Sequence, residues 1–266
     1  MQQVEDFRAE AAALAELLAD VPEDRLFQPT QFKGWTVDDV LGHLHMFDFA
    51  ADRALTDPQG FEVFLNGLMA EFAKGTSIRD AQYPWLDGLK GHALLDAWVA
   101  GTQRLADAYA EADPKARVRW VGPEMSARSS ITARQMETWA HGHEVFDLLG
   151  QTREEADRIS NIVYLGVNTF GWTFANRKLP VPDQMPELHL TSPSGGHWSF
   201  GDAQEGNRIE GSALGFAQVV TQTRNVADTD LDVTGEVAGQ WMAMAQCFAG
   251  PPEDPPAPGS RHMQPA

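Results

Sequence analysis

The chain has a single cysteine, Cys247, among its 266 residues. That excludes an internal disulfide framework and a cysteine-rich zinc site. Basic residues are also scarce, with 20 Lys and Arg against 38 Asp and Glu and a formal net charge of −18. So acidic a chain, with no run of Lys or Arg, repels phosphate backbones, and nucleic acid is excluded as a partner. Long apolar runs are missing too. The opening "MQQVEDFRAEAAALAELLAD" is broken by charge, so neither a signal peptide nor a membrane span is expected, and no membrane partner. The cytoplasm is the expected compartment. What remains is ample core material, with 43% of residues hydrophobic.

Apolar residues recur at helical spacing over 3–20, and a second helix is expected from "GWTVDDVLGHLHMFDFAADRAL". There Thr36 and Asp39 make a capping-box pair, with Trp35 and Val40 placed to form the hydrophobic staple. Further helices are expected at 61–73, 92–112 and 153–174. In "SITARQMETWAHGHEVFDLLG", Thr132 and Gln135 suggest a capping box, and Gly150 sits where a helix-ending glycine belongs. Residues 1–177 therefore read as an antiparallel helical bundle. After "KLPVPDQMP" the character changes. "ELHLTSPSGGHWSFGD" alternates about a Gly-Gly turn, a hairpin signal, and "RIEG" and "LDVTG" are further short strands. Helices are expected at 212–223 and 236–249. Residues 184–250 thus read as a smaller α+β domain, and the Pro-rich 251–266 as a disordered tail.

Glu137 and His141 lie one turn apart on their helix and project side by side. Two ligands so placed are a common grip on a metal, and a third must come from another helix. His43 and His45 are the candidates. His43 shares its stripe with Val40, Phe47 and Ala54, and His45 shares its stripe with Asp38, Asp48 and Asp52. His43 is therefore expected to face the bundle interior and His45 solvent. His43, Glu137 and His141 would make a His2Glu set, a three-ligand arrangement that leaves a position open for water or substrate. It suits zinc, with nickel, cobalt or ferrous iron chemically compatible. The plainer alternatives are a solvated Glu–His pair and a core histidine. Asp39, one turn before His43, could hold its other ring N–H or serve only as the cap. Cys247 reads as a core residue. His92, His143, His189, His197 and His262 show no converging partners.

"GWTVDDVLGHL" followed by "METWAHGHEVFDLLG" resembles the metal-binding N-terminal domain of the mycothiol-dependent maleylpyruvate isomerases, which belongs to the DinB/YfiT-like four-helix bundles. The resemblance implies a DinB-like bundle followed by a small, sterol-carrier-like α+β domain. It makes His43, Glu137 and His141 the metal ligands. Where the family pattern ends in Asp this chain has Glu144, which puts any role tied to that aspartate in doubt. "FAQVVTQTRN" is similar to a family helix that ends in a basic turn, which implies a place for Arg224 near the site. The branch resembled is an uncharacterised actinobacterial one, and not the maleylpyruvate enzymes themselves.

In families like this the metal activates a low-molecular-weight thiol such as mycothiol. A free thiol ionises near ~8.5, and coordination deprotonates it at neutral pH. The thiolate can add to an activated double bond and leave again, isomerising it, or displace a leaving group. The expected function is therefore isomerisation or S-transfer on a small, carboxylate-bearing substrate, by a monomer or homodimer. Glu144 is a candidate general base or an exposed helix glutamate. Arg224 is a candidate carboxylate and cofactor binder, or a charge satisfying a helix C-terminus. A thiol-independent lyase, cyclase or hydrolase remains open, as does a non-catalytic metal-binding protein.

Overall fold

Thr36 and Asp39 start the helix that organises the first half of the chain. In the computed structural model, which describes residues 1–265, the Thr36 hydroxyl accepts the Asp39 N–H at 3.1 Å. The Asp39 carboxylate accepts the Thr36 N–H at 2.9 Å, so the expected capping box is complete. Contacts divide the chain into two units, Met1–Val145 and the residues from Phe146 onward. The division falls inside one long helix, earlier than the 177/184 boundary read from the sequence.

The first unit is a bundle of α1 (Gln2–Leu18), α2 (Val37–Thr56), α5 (Gly91–Glu111) and α6 (Ala127–Leu149). One apolar cluster takes residues from all four: Val4 and Phe7, then Ala51, then Leu105 and Tyr109, then Ala127 and Ile131. Two further helices, α3 (Pro58–Ala73) and α4 (Ile78–Leu86), cover another side of α2. Met46, Phe47, Ala50 and Ala54 of α2 meet Phe61, Phe64, Leu68 and Ala81 there. α2 is thus packed on more than one side. α4 went unread in the sequence because Pro84 sits inside it.

α6 begins at Ala127, so Thr132 is interior to the helix and not its cap. A two-residue ladder of β1 (Arg117–Val118) and β2 (Met125–Ser126) leads straight into it. The Ser126 hydroxyl accepts the Ser129 N–H at 3.1 Å and caps the helix. The end is as expected. Gly150 has φ +64°, its N–H donates to Asp147 O, and Gln151 N–H donates to Phe146 O, the two bonds of a Schellman motif.

In the second unit the expected 153–174 helix is broken at Thr169 into α7 (Ser160–Asn168) and α8 (Phe170–Asn176). A four-stranded sheet follows, built from β3 (Glu187–Thr191), β4 (His197–Phe200), β5 (Arg208–Ser212) and β6 (Asp232–Thr234). The strand order is β4-β3-β5-β6, with β3 and β5 parallel and the other pairs antiparallel. Leu188, Leu190 and Ile209 form its fully buried face. α9 (Ala213–Val220) and α10 (Glu236–Met242) supply buried Phe216 and Trp241, whose rings lie 5.5 Å apart. α7 approaches α9 at Gly166, where any Cβ would come within 2.8 Å of Val220.

Residues 251–265, expected to be disordered, contain no helix or strand but are fastened to this unit. The Arg261 guanidinium donates to Gln222 O at 2.7 Å, the Asn225 amide to Pro256 O at 2.8 Å, and Gln264 N–H to Asp147 O at 2.8 Å. A proline-rich segment cannot join a helix or ladder, but its carbonyls accept and its polar side chains donate.

Candidate metal centre

α2 delivers His43 and α6 delivers Glu137 and His141 to one point. His43 Nε2 lies 3.4 Å from Glu137 Oε2, and His141 Nε2 lies 3.5 Å from the same oxygen. The three donor atoms lie within 4.8 Å of one another, and this is the one such group of His, Cys, Asp and Glu among the described residues. Donors about 2.0–2.1 Å from a tetrahedral zinc stand ~3.3–3.4 Å apart, so the two measured edges fit a His2Glu zinc site closely. The residues expected to converge do so. The side chains are 11%, 23% and 11% exposed for His43, Glu137 and His141, enough to leave one side reachable.

An aromatic collar fixes the imidazoles. The Trp35 ring lies edge-on to His43 at 5.5 Å and stacks on His141 at 5.9 Å. Phe32 meets His141 edge-on at 5.1 Å, and Phe47 tilts against His43 at 4.8 Å. Burial takes the His43 imidazole down to about 4, so it is neutral at pH 7, the form that ligates a metal. Burial alone would push the Glu137 carboxyl up. The hydrogen bonds of His141 and His43 and their charge outweigh it and hold the carboxyl well below its ordinary value. The site therefore presents one anion and neutral imidazole, a net charge that favours a divalent cation.

The remaining candidates fall differently. His45 does not face solvent. It packs on Trp85 at 5.3 Å, its Nδ1 is buried without a hydrogen-bond partner, and burial brings it down to about 4. Its stripe is polar because it carries contacts between helices. Asp38 accepts the Gly91 N–H at 2.6 Å, while Asp48 accepts Arg134 Nε at 2.7 Å and Trp98 Nε1 at 3.0 Å. Asp39 does not hold His43, since its second oxygen accepts the Tyr83 hydroxyl at 2.6 Å and His43 Nδ1 is buried without a hydrogen-bond partner. Glu144 is 2% exposed, so it is no solvated helix glutamate. Arg224 donates to Asp147 Oδ1 at 2.7 Å and to Thr223 O at 2.9 Å, both within the second unit. Cys247 is buried, as expected. The sequence reading missed Arg134 and Phe32. Arg134 stands three residues before Glu137, on the same side of its helix, and that was the available signal.

The chain is similar to known proteins over most of its length. The model of the mycothiol maleylpyruvate isomerase N-terminal domain family matches residues 7–146. An uncharacterized protein from each of two strains of Mycobacterium tuberculosis is 38% identical over 249 residues, 94% of this chain and 96% of the relative. The crystal structure of the mycothiol-dependent maleylpyruvate isomerase is similar with a TM-score of 0.54 at 17% identity, over 88% of this chain and 90% of that one. Its histidine-to-alanine mutant gives 0.53 at 16%, over 82% and 87%. At that identity the likeness is one of fold.

Proposed function

The chain belongs to the family of the mycothiol maleylpyruvate isomerase N-terminal domain, and we propose that it is a metal-dependent enzyme that uses a low-molecular-weight thiol, mycothiol, for isomerisation or S-transfer on a small substrate. The observation that carries this reading is the convergence of His43, Glu137 and His141 from two helices. When bound there, a divalent ion such as zinc supplies a positive charge that ionises a coordinated thiol at neutral pH.

The chain's own residues do the rest. Glu137 offers a carboxylate that two imidazoles keep ionised against the effect of burial. His43 and His141 are held in orientation by Trp35, Phe32 and Phe47, so little ordering is left to do when an ion arrives. Three protein donors, where structural zinc sites have four, leave room for a thiol. Glu144, buried one turn beyond His141, is our candidate general base, passing the proton the thiol loses on to solvent. Arg224 is our candidate for a substrate carboxylate, with its guanidinium already oriented by Asp147.

The test is calorimetric. Mycothiol is titrated into zinc-loaded protein in buffers of different ionisation enthalpy. Release of close to one proton per thiol at pH 7, absent with Glu137→Gln, is expected. Binding without proton release, or none, would favour the thiol-independent reading.

A further inference from the structure

The outer face of the second unit's sheet carries a cluster that has no part in the His43–Glu137–His141 centre. In the β3–β4 ladder His189 stands opposite Ser199, and His197 opposite Thr191. Side chains alternate along a strand, so Glu187, His189, His197 and Ser199 share the face opposite buried Leu188 and Leu190. Glu187 Oε1 lies 2.8 Å from His189 Nε2. A carboxylate accepts, so the ring proton sits on Nε2 and the lone pair of His189 is on Nδ1. His197 Nε2 lies 3.3 Å from that Nδ1. Ser199 Oγ lies 3.1 Å from His197 Nε2 and 3.4 Å from His189 Nδ1. Three donor atoms thus form a nearly equilateral triangle. Its edges match the ~3.3–3.4 Å separation of ligands on a tetrahedral zinc with bonds of about 2.0–2.1 Å.

We propose that His189 Nδ1, His197 Nε2 and Ser199 Oγ form a second, solvent-facing site for a divalent ion of the zinc type, with Glu187 holding His189 from behind. Two imidazoles select zinc-like ions over calcium and magnesium, which take oxygen ligands. The carboxylate behind a ligating histidine fixes its tautomer and raises its basicity. The backbone beneath is set. β3 is an inner strand paired on both sides, and Ser192 closes the hairpin turn by accepting the Gly196 N–H at 2.9 Å. His197 and Ser199 are exposed, so the fourth position opens to water or to a donor from another molecule. With no anionic donor in direct contact, this site binds more weakly than the Glu137 centre and exchanges its ion.

Zinc titration of the full-length apo protein by calorimetry tests this. The parent is expected to take up two ions in two steps. His197→Gln, on an exposed strand position that leaves the fold intact, should remove the weaker step and keep the tighter one. Glu187→Gln should weaken the weaker step about 10- to 100-fold. Conversely, Glu137→Gln should remove only the tighter step, so failure of the bundle site and failure of this one are separately visible. A weaker step that survives His197→Gln unchanged, or a parent with no such step, overturns the proposal.

Discussion

Asp48 and Arg134 form a buried ion pair, Nε to Oδ1 2.7 Å, with side chains only 1% and 3% exposed. Asp48 lies five residues beyond His43 on α2, and Arg134 three residues before Glu137 on α6. The pair ties together the two helices that bring the ligands to one point. Trp98 Nε1 donates to the same carboxylate from α5. Burial pushes the Asp48 carboxyl up, and the charge and hydrogen bond of Arg134 pull it back. Arg134→Met should cost about 3–5 kcal/mol, because it leaves a carboxylate buried and unpaired. Replacing both partners, Asp48→Leu with Arg134→Met, should recover much of that. Urea unfolding of these two variants and of Asp48→Leu alone reads it directly. An additive double variant would show that the two charges do not depend on each other.

His43→Ala, Glu137→Gln and His141→Ala should each reduce the tightly held metal that survives purification from about one ion per chain to a small fraction, since each removes one of three donors. Ion loss should lower Tm. A ligand that binds only the folded state stabilises by ~2.7 kcal/mol at a hundred times its Kd. Elemental analysis with and without chelation checks both points. Full metal content in all three variants would move the centre elsewhere.

His45 makes the fold acid-sensitive. Unfolded, its imidazole takes a proton near 6.5; folded and half-buried beside Trp85, only at about 4. Between those values the unfolded chain binds the extra proton. Its contribution is therefore whole above about 6.5 and is lost as pH falls toward 4. His45→Asn should flatten part of the decline of Tm between pH 6.5 and 4. The comparison is parent against variant at several pH values, because carboxylates contribute to both curves. Parallel curves would mean that His45 titrates normally in the fold.

Arg224→Ala should depress turnover at least tenfold while metal content stays near parental. Arg224→Lys keeps the charge but not the planar fork, and should restore activity only in part. Loss of metal and of cooperative unfolding together in Arg224→Ala would assign the Asp147–Arg224 pair to structure alone.

The inward face of His43 was legible because it shares a stripe with Val40, Phe47 and Ala54, and hydrophobic periodicity reports one face of a helix well. His45 was not. α2 is packed on several sides, and its second face is lined by Asp38 and Asp48, whose partners Gly91 and Arg134 lie 53 and 86 residues away in sequence. A polar stripe that meets polar partners looks, in sequence, like a stripe that meets water. The same confusion hid the burial of Glu144. From Ser130 to Leu149 no residue of α6 is exposed, despite Arg134, Gln135, His143, Glu144 and Asp147. Thr132 was misread as a cap because Ser126 already filled that role one and a half turns earlier. His189 and His197 escaped notice because only the hairpin register brings Nδ1 and Nε2 together.

The single cysteine has a spectroscopic consequence. Cys247 is 5% exposed and supplies the chain's one sulfur of thiol chemistry. In cobalt-substituted protein, a sulfur-to-metal charge-transfer band has no second protein thiol to arise from. A band that grows with added mycothiol and saturates at one equivalent would be the small thiol's own signature. Cys247→Ser, a change of one buried atom, supplies the blank against which it is read.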